Sequence, residues 1–154
     1  MNYEISNSTL AIIPIDDNCC KVLETHQEFI LACSAFSIIK ENCLYFGSTY
    51  SGRSKATKKL LGINYKTPII IEEINNIIFF PLESPINSTC EWINANSIRK
   101  FYTENNPSKS IIEFYEGRLL EVSISLGSLT NQIIRSTRLQ IILSERVKKS
   151  ISKY

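Results

Sequence analysis

The chain has 154 residues, the size of one domain, and a domain near this size removes roughly 68–70% of its unfolded surface from water. It is 44% hydrophobic and 21% charged, with five glycines and five prolines, which excludes collagen-like, low-complexity and largely disordered chains. The net charge of +2 is too small, taken alone, to mark a polyanion binder.

In chain order, Thr9 to Ile13 predicts a strand and Glu28 to Leu31 a second. Ser34 to Asn42 predicts a short helix with a serine N-cap and with Phe36, Ile39 and Cys43 on one face. Leu44 to Phe46 reads as a short strand entering a glycine turn, and Ser51 to Leu61 as a helix closed by Gly62. Ile69 to Glu72 and Ile77 to Phe80 flank Asn75-Asn76 as a hairpin. Trp92-Ile93 and Ile98 to Tyr102 are weaker strands. Ile111 to Phe114 and Leu119 to Ile124 flank Glu116-Gly117, a second hairpin signal. From Ser128 the period becomes helical. Leu129, Ile133, Thr137, Ile141, Leu143 and Val147 fall in one arc, opposite Arg135, Arg138, Arg146 and Lys149. No repeat and no linker interrupts this order. The expectation is one α+β domain over residues 1–154, built of antiparallel hairpins, short helices and a C-terminal amphipathic helix.

The small net charge conceals a segregation. Residues 1–39 carry −4, 40–66 carry +5, 67–98 carry −4 and 99–154 carry +5. The opening residues hold Glu4, Asp16 and Asp17 with no basic region, and Pro14 interrupts the apolar run after Ile13, so no signal peptide is read. No stretch approaches the ~20 apolar residues of a membrane span. Cys19, Cys20, Cys33, Cys43 and Cys90 are odd in number and irregular in spacing, and His26 is alone. That pattern suits neither a disulfide framework nor a zinc site. A cytoplasmic protein without membrane, metal, cofactor or disulfide is expected. The 25 isoleucines, 13 asparagines and 11 lysines use A/T-rich codons, which bears on origin and not on function.

Gly47-Ser-Thr-Tyr-Ser-Gly52-Arg53-Ser54 is one residue from the phosphate-binding loop G-x-x-x-x-G-K-[ST], with a predicted strand before it and a predicted helix after. Arginine stands where that loop needs lysine, and a planar guanidinium is no free substitute for an ammonium. No convincing magnesium-binding strand follows. A small nucleotide- or phosphate-binding enzyme using residues 47–54 is therefore the weaker alternative. The physical content is a glycine turn opening a helix that carries Arg53, Lys55, Lys58 and Lys59, a place for phosphate, including that of a nucleic-acid backbone. No nucleophile–histidine–acid set is visible, and Glu72 and Glu73, adjacent in a strand, point to opposite faces. The sequence reads as a non-enzyme.

The same residues carry a resemblance. Cys43-Leu-Tyr-Phe-Gly-Ser-Thr-Tyr-Ser-Gly-Arg53, Lys66-Thr-Pro68-Ile-Ile70, Ile78-Phe-Phe-Pro81 and Cys90-Glu-Trp92-Ile93 closely resemble the ComK family of competence transcription factors of low-GC Gram-positive bacteria. Ala11-Ile-Ile-Pro14 and Ser128-Leu-Thr-Asn-Gln-Ile-Ile-Arg135 are similar to it too, so the match runs in order over nearly the whole chain. The resemblance implies a sequence-specific DNA-binding activator of genes for DNA uptake, cytoplasmic and nucleoid-associated. It implies AT-rich promoter boxes of paired A- and T-tracts, read largely through the minor groove by dimers that pair into tetramers. RNA polymerase and an adaptor to a Clp protease are the implied protein partners. Longer family members carry a C-terminal extension that the adaptor uses, and this sequence ends at Tyr154, so the match does not carry that route.

Arginine is the usual probe of a narrow A-tract groove. Arg53, Arg135 and Arg138 are accordingly the candidates for groove or phosphate contact, and Lys55, Lys58 and Lys59 for phosphate anchors. Asn131 and Gln132 are candidates either for base edges or for capping the helix start. Gly47, Ser48, Gly52, Pro68 and Cys90 belong to the structural motifs. Tyr50 and Trp92 are read either as stacking wedges or as core. Whether the two basic blocks share a face is not given by sequence.

Overall fold

The computed structural model describes residues 1–152. Nine strands and three helices are formed among the described residues. The strands are β1 (Thr9–Asp16), β2 (Cys19–Glu24), β3 (Glu28–Leu31), β4 (Ile69–Glu72), β5 (Ile77–Pro81), β6 (Trp92–Asn94), β7 (Ile98–Tyr102), β8 (Ser110–Phe114) and β9 (Leu119–Val122). The helices are α1 (Ala35–Tyr45), α2 (Tyr50–Leu61) and α3 (Leu126–Ser152). Pairing is antiparallel throughout, in a six-stranded sheet of order β3-β2-β1-β6-β5-β4 and a three-stranded sheet of order β7-β8-β9. The expected α+β class, its antiparallel hairpins and its C-terminal helix are all present.

The large sheet is buried on both faces, because its central strands carry apolar side chains at successive positions. On one face Ile12, Val22, Ile69, Ile71, Phe79 and Trp92 pack against Ile38, Ile39 and Cys43 of α1. On the other, Leu10, Phe80 and Ile93 meet Ile112, Phe114 and Val122 of the small sheet and Leu129 of α3. A third cluster joins Leu61 of α2, Ile70, Ile78 and Leu139 of α3. Helix α2 thus packs against β4, the edge strand on that side of the large sheet.

Three expectations are corrected. Strand β2 was not anticipated: Cys-Cys-Lys-Val-Leu-Glu lacks a β-branched run, yet Cys20 and Val22 fill the core as small hydrophobes. Strand β1 continues past Ile13 to Asp16. Pro14 is tolerated because β6 pairs only with Ala11 and Ile12, leaving that side of Pro14 without a partner strand. The predicted strand at Leu44 to Phe46 is the last turn of α1, with Phe46 as its C-cap. Asn42 holds that turn from within. Its buried amide accepts from the Ile5 N–H at 2.9 Å and donates to the carbonyls of Ile38 at 2.8 Å and Tyr3 at 2.9 Å.

Helix α3 is rotated from its predicted orientation. Its start is capped by Ser125, which accepts from the Ser128 N–H at 3.2 Å. Its buried face is Leu129, Gln132, Ser136 and Leu139, whereas Thr137, Ile141 and Val147 of the expected apolar arc are exposed. The buried face departs from the apolar arc because two polar residues on it are internally satisfied. Gln132 Nε2 donates to the carbonyls of Lys66 at 2.9 Å and Pro81 at 2.7 Å, and Ser136 Oγ to that of Gln132 at 2.9 Å.

One buried acid makes stability pH-dependent. Burial first, and the Glu83 carboxylate second, push the Glu91 carboxyl from 4.5 up to about 7 against the opposing charge of Lys21. Between those values the folded chain keeps a proton that the unfolded chain has lost, so stability falls as pH rises through that window. Glu91→Gln is expected to gain on the order of 1–2 kcal/mol at alkaline pH and to be near neutral below the unfolded value, as urea melts at both pH values will read.

Candidate nucleic-acid interface

Helix α2 begins where Gly47, at φ 96°, turns the chain out of α1. Thr49 caps it, its Oγ1 accepting from the Gly52 N–H at 2.9 Å. Ser54 Oγ and Thr67 Oγ1 meet at 2.9 Å and fix the helix to the segment that carries buried Pro68 into β4. Gly62, left-handed at φ 67°, ends α2 as its sequence position predicts. The chain then turns through Tyr65 and Lys66 onto α3.

That return brings the two helices that carry the basic runs into contact. Leu60, Leu61 and Ile63 pack with Leu139, Ile142 and Leu143, so the ends of α2 and the middle of α3 are in contact. Arg135 Nη1 donates to the Tyr65 carbonyl at 3.2 Å and to Gln132 Oε1 at 3.3 Å, and its guanidinium lies 5.3 Å from the Tyr65 ring centre. It locks the loop to α3 while remaining partly exposed. Lys55, Lys58 and Lys59 on α2 and Asn131 and Arg138 on α3 are exposed. None of those four cations holds an ion pair among the described residues.

The cations on and beside the small sheet behave differently, whereas Arg146 and Lys148 further along α3 are exposed and hold no ion pair among the described residues. Arg99 and Lys100 face Glu113 at 3.6 and 3.8 Å, and Lys109 faces Glu121 at 3.2 Å. Arg118 meets Glu28 at 3.0 Å and also donates to the carbonyls of Glu24 and Gln27. The cations of the small sheet are therefore compensated, whereas α2 and α3 carry exposed cations without an ion pair.

The other candidates sort by burial. Gln132 is 2% exposed with its amide spent on two carbonyls, so it neither reaches a base edge nor caps a helix that starts six residues earlier. Asn131, also inside the helix, is free of the capping role but open to a base edge. Trp92 is fully buried and Tyr50 half-buried. With Phe36 they form an aromatic trio at centroid distances of 6.0 Å (Phe36–Trp92), 6.4 Å (Tyr50–Trp92) and 4.9 Å (Phe36–Tyr50), so both are core. Buried Cys90 points its thiol at the Glu83 and Glu91 carbonyls, each 3.5 Å away. Ser48 and Gly52 shape the turn. Arg53 is withdrawn, its side chain 13% exposed and paired with Glu73 at 2.5 Å.

The phosphate-loop alternative loses its context, since a helix and not a strand precedes Gly47, and its cation is held by a carboxylate. Sequence reasoning overlooked Tyr65 and Lys66. The Lys66-Thr-Pro-Ile-Ile block signalled that stretch, but the pairing with Arg135 spans 70 residues and left no local trace.

No solved structure matches the chain. A competence transcription factor of Bacillus subtilis (strain 168) is 30% identical over 156 residues, an alignment covering 99% of this chain and 80% of that protein. The family model described as ComK protein matches residues 1–148, from ahead of β1 through the basic stretch of α3. On that match, which spans both sheets and all three helices, the chain belongs to the ComK family.

Proposed function

We propose that this protein is a sequence-specific DNA-binding activator of competence genes that engages AT-rich promoter boxes, largely through the minor groove, from the seam between α2 and α3. The observation that carries the reading is the contrast in charge compensation. Lys55, Lys58, Lys59 and Arg138 are exposed and unpaired on the two helices that form one seam, while the cations of the small sheet all face acids, Arg99 and Lys100 sharing Glu113. The lysines set register on phosphates, and Arg135 and Arg138 supply guanidinium groups for a narrow, strongly negative A-tract groove. Few base-specific side chains are needed, because that groove distinguishes mainly A·T from G·C.

The protein acts in the cytoplasm at the nucleoid, as a homo-oligomer, in concert with RNA polymerase and without enzymatic activity of its own. Exposed Ile134 and Ile141 on α3 support self-association, and no helix among the described residues is long and apolar enough to cross a membrane. Gel shift with an A-tract/T-tract duplex against a G·C-substituted duplex tests the reading. Preferential retardation of the first is expected, and equal or absent binding to both would sink it.

A further inference from the structure

An open cleft of about 500 Å³ separates the start of α2 from the β4–β5 hairpin, with Gly47, Ser48, Arg53, Glu72 and Glu73 on its walls. Arg53 is its one cation among the described residues. Nη1 donates to Glu73 Oε1 at 2.5 Å, and Nε is buried with no hydrogen-bond partner in the protein. A guanidinium has five donors in a fork shaped for a planar or tetrahedral oxyanion, so this single carboxylate contact leaves it under-used. Glu73 is the more exposed partner, its side chain 67% exposed against 13% for Arg53. Its neighbour Glu72 is already committed, Oε1 and Oε2 accepting from the N–H groups of Ile74 and Asn75 at 2.8 and 2.9 Å. Glu72 shapes the hairpin, and Glu73 alone supplies the counter-charge. Lys55, exposed and unpaired, follows Arg53 by two residues on the same helix.

We propose that this cleft is a phosphate subsite of the DNA interface, and that Glu73 is its resident anion, displaced from Arg53 by a backbone phosphodiester when the duplex docks. The inference rests on the DNA-binding reading above. It gives the acidic hairpin a role that net charge hides: the Arg53–Glu73 pair removes one guanidinium from the long-range field until a phosphate is delivered at the right place. Weakly placed DNA does not displace Glu73, so the exchange sharpens discrimination at the cost of affinity.

A double-mutant cycle tests it, with binding of an A-tract/T-tract duplex read by fluorescence anisotropy for the wild-type chain, Glu73→Gln, Arg53→Gln and the double variant. Glu73→Gln is expected to tighten binding by about fivefold when Arg53 is present and by less than about twofold when it is absent, the first factor corresponding to an exposed ion pair. Equal gains in both backgrounds would show Glu73 acting as a general negative charge and overturn the exchange. No gain in either background would make the pair a structural bridge and overturn it too. Arg53→Lys serves as a second background if Arg53→Gln fails to fold, since it keeps the charge and loses the fork; the gain from Glu73→Gln should then fall and not vanish. The same chains titrated with inorganic phosphate alone, at matched ionic strength, identify the source of the anion. Free phosphate bound selectively through Arg53 would reassign the cleft to a small anion and overturn the backbone subsite. If the wild-type chain binds neither duplex, the DNA-binding reading fails and the inference falls with it.

Discussion

Replacing Trp92 with alanine will cost about 3–5 kcal/mol, a large share of the roughly 5–15 kcal/mol by which a domain is stable. The indole is fully buried where β6, α1 and α2 converge. It stacks 6.0 Å from Phe36 at an interplanar angle of 20°, and beside that ring it meets the Tyr50 ring edge-on at 89°. Truncation therefore removes the largest side chain of the first cluster and undoes two ring pairs at once. The cavity cannot collapse readily, because Phe79, Ile12 and Ile71 around it are themselves fully buried. The indole nitrogen sharpens the test. Trp92 Nε1 is buried without a hydrogen-bond partner in the protein, so the residue contributes packing and no polar contact. Trp92→Phe should keep most of the packing, lose no hydrogen bond and cost far less than the alanine variant. Urea melts followed by far-ultraviolet circular dichroism will decide, since Trp92 is the only tryptophan. Similar losses in the two variants would contradict this account.

That experiment also shows where sequence reasoning reached its limit. The Asn75-Asn76 and Glu116-Gly117 turns were legible because turn chemistry is local, and the chain takes positive φ at Asn76, Glu116 and Gly117. Gly62 was legible for the same reason. Strand β2 was not, because its strand character comes from partners on either side and not from its own composition. The face of α3 was misjudged because hydropathy assigns glutamine and serine to water, whereas Gln132 and Ser136 exchange water for backbone carbonyls. The candidate site divides similarly. Segregated charge was visible as blocks along the chain, but compensation is a three-dimensional property. Arg53 finds its acid 20 residues away and Arg118 finds Glu28 90 residues away, so a basic block in sequence became a paired surface in one place and an open one in another.

The largest effect on binding should come from the open surface. Alanine at Lys55, Lys58, Lys59 and Arg138 together is expected to lower the slope of log K against log salt by about 3.6, since each neutralised phosphate contributes about 0.9. At about 0.1 M salt this is a loss on the order of a thousandfold in affinity. The fold should hardly notice, because all four side chains are exposed and unpaired, alanine favours helix, and removing crowded like charges costs nothing. The control is built into the molecule. Alanine at Arg99, Lys100 and Lys109 removes nearly as many cations from the second basic block, but each already faces Glu113 or Glu121. If binding followed net charge alone, the two sets would weaken it in proportion to the cations removed. If it follows the uncompensated seam, the first set flattens the salt dependence and the second leaves it nearly intact. Arg135 lies between these cases, because it both fronts the seam and holds the Tyr65 loop on α3. Arg135→Lys keeps the charge but loses the paired contacts, so a drop in affinity at unchanged salt slope would assign Arg135 to positioning the loop and not to neutralising a phosphate.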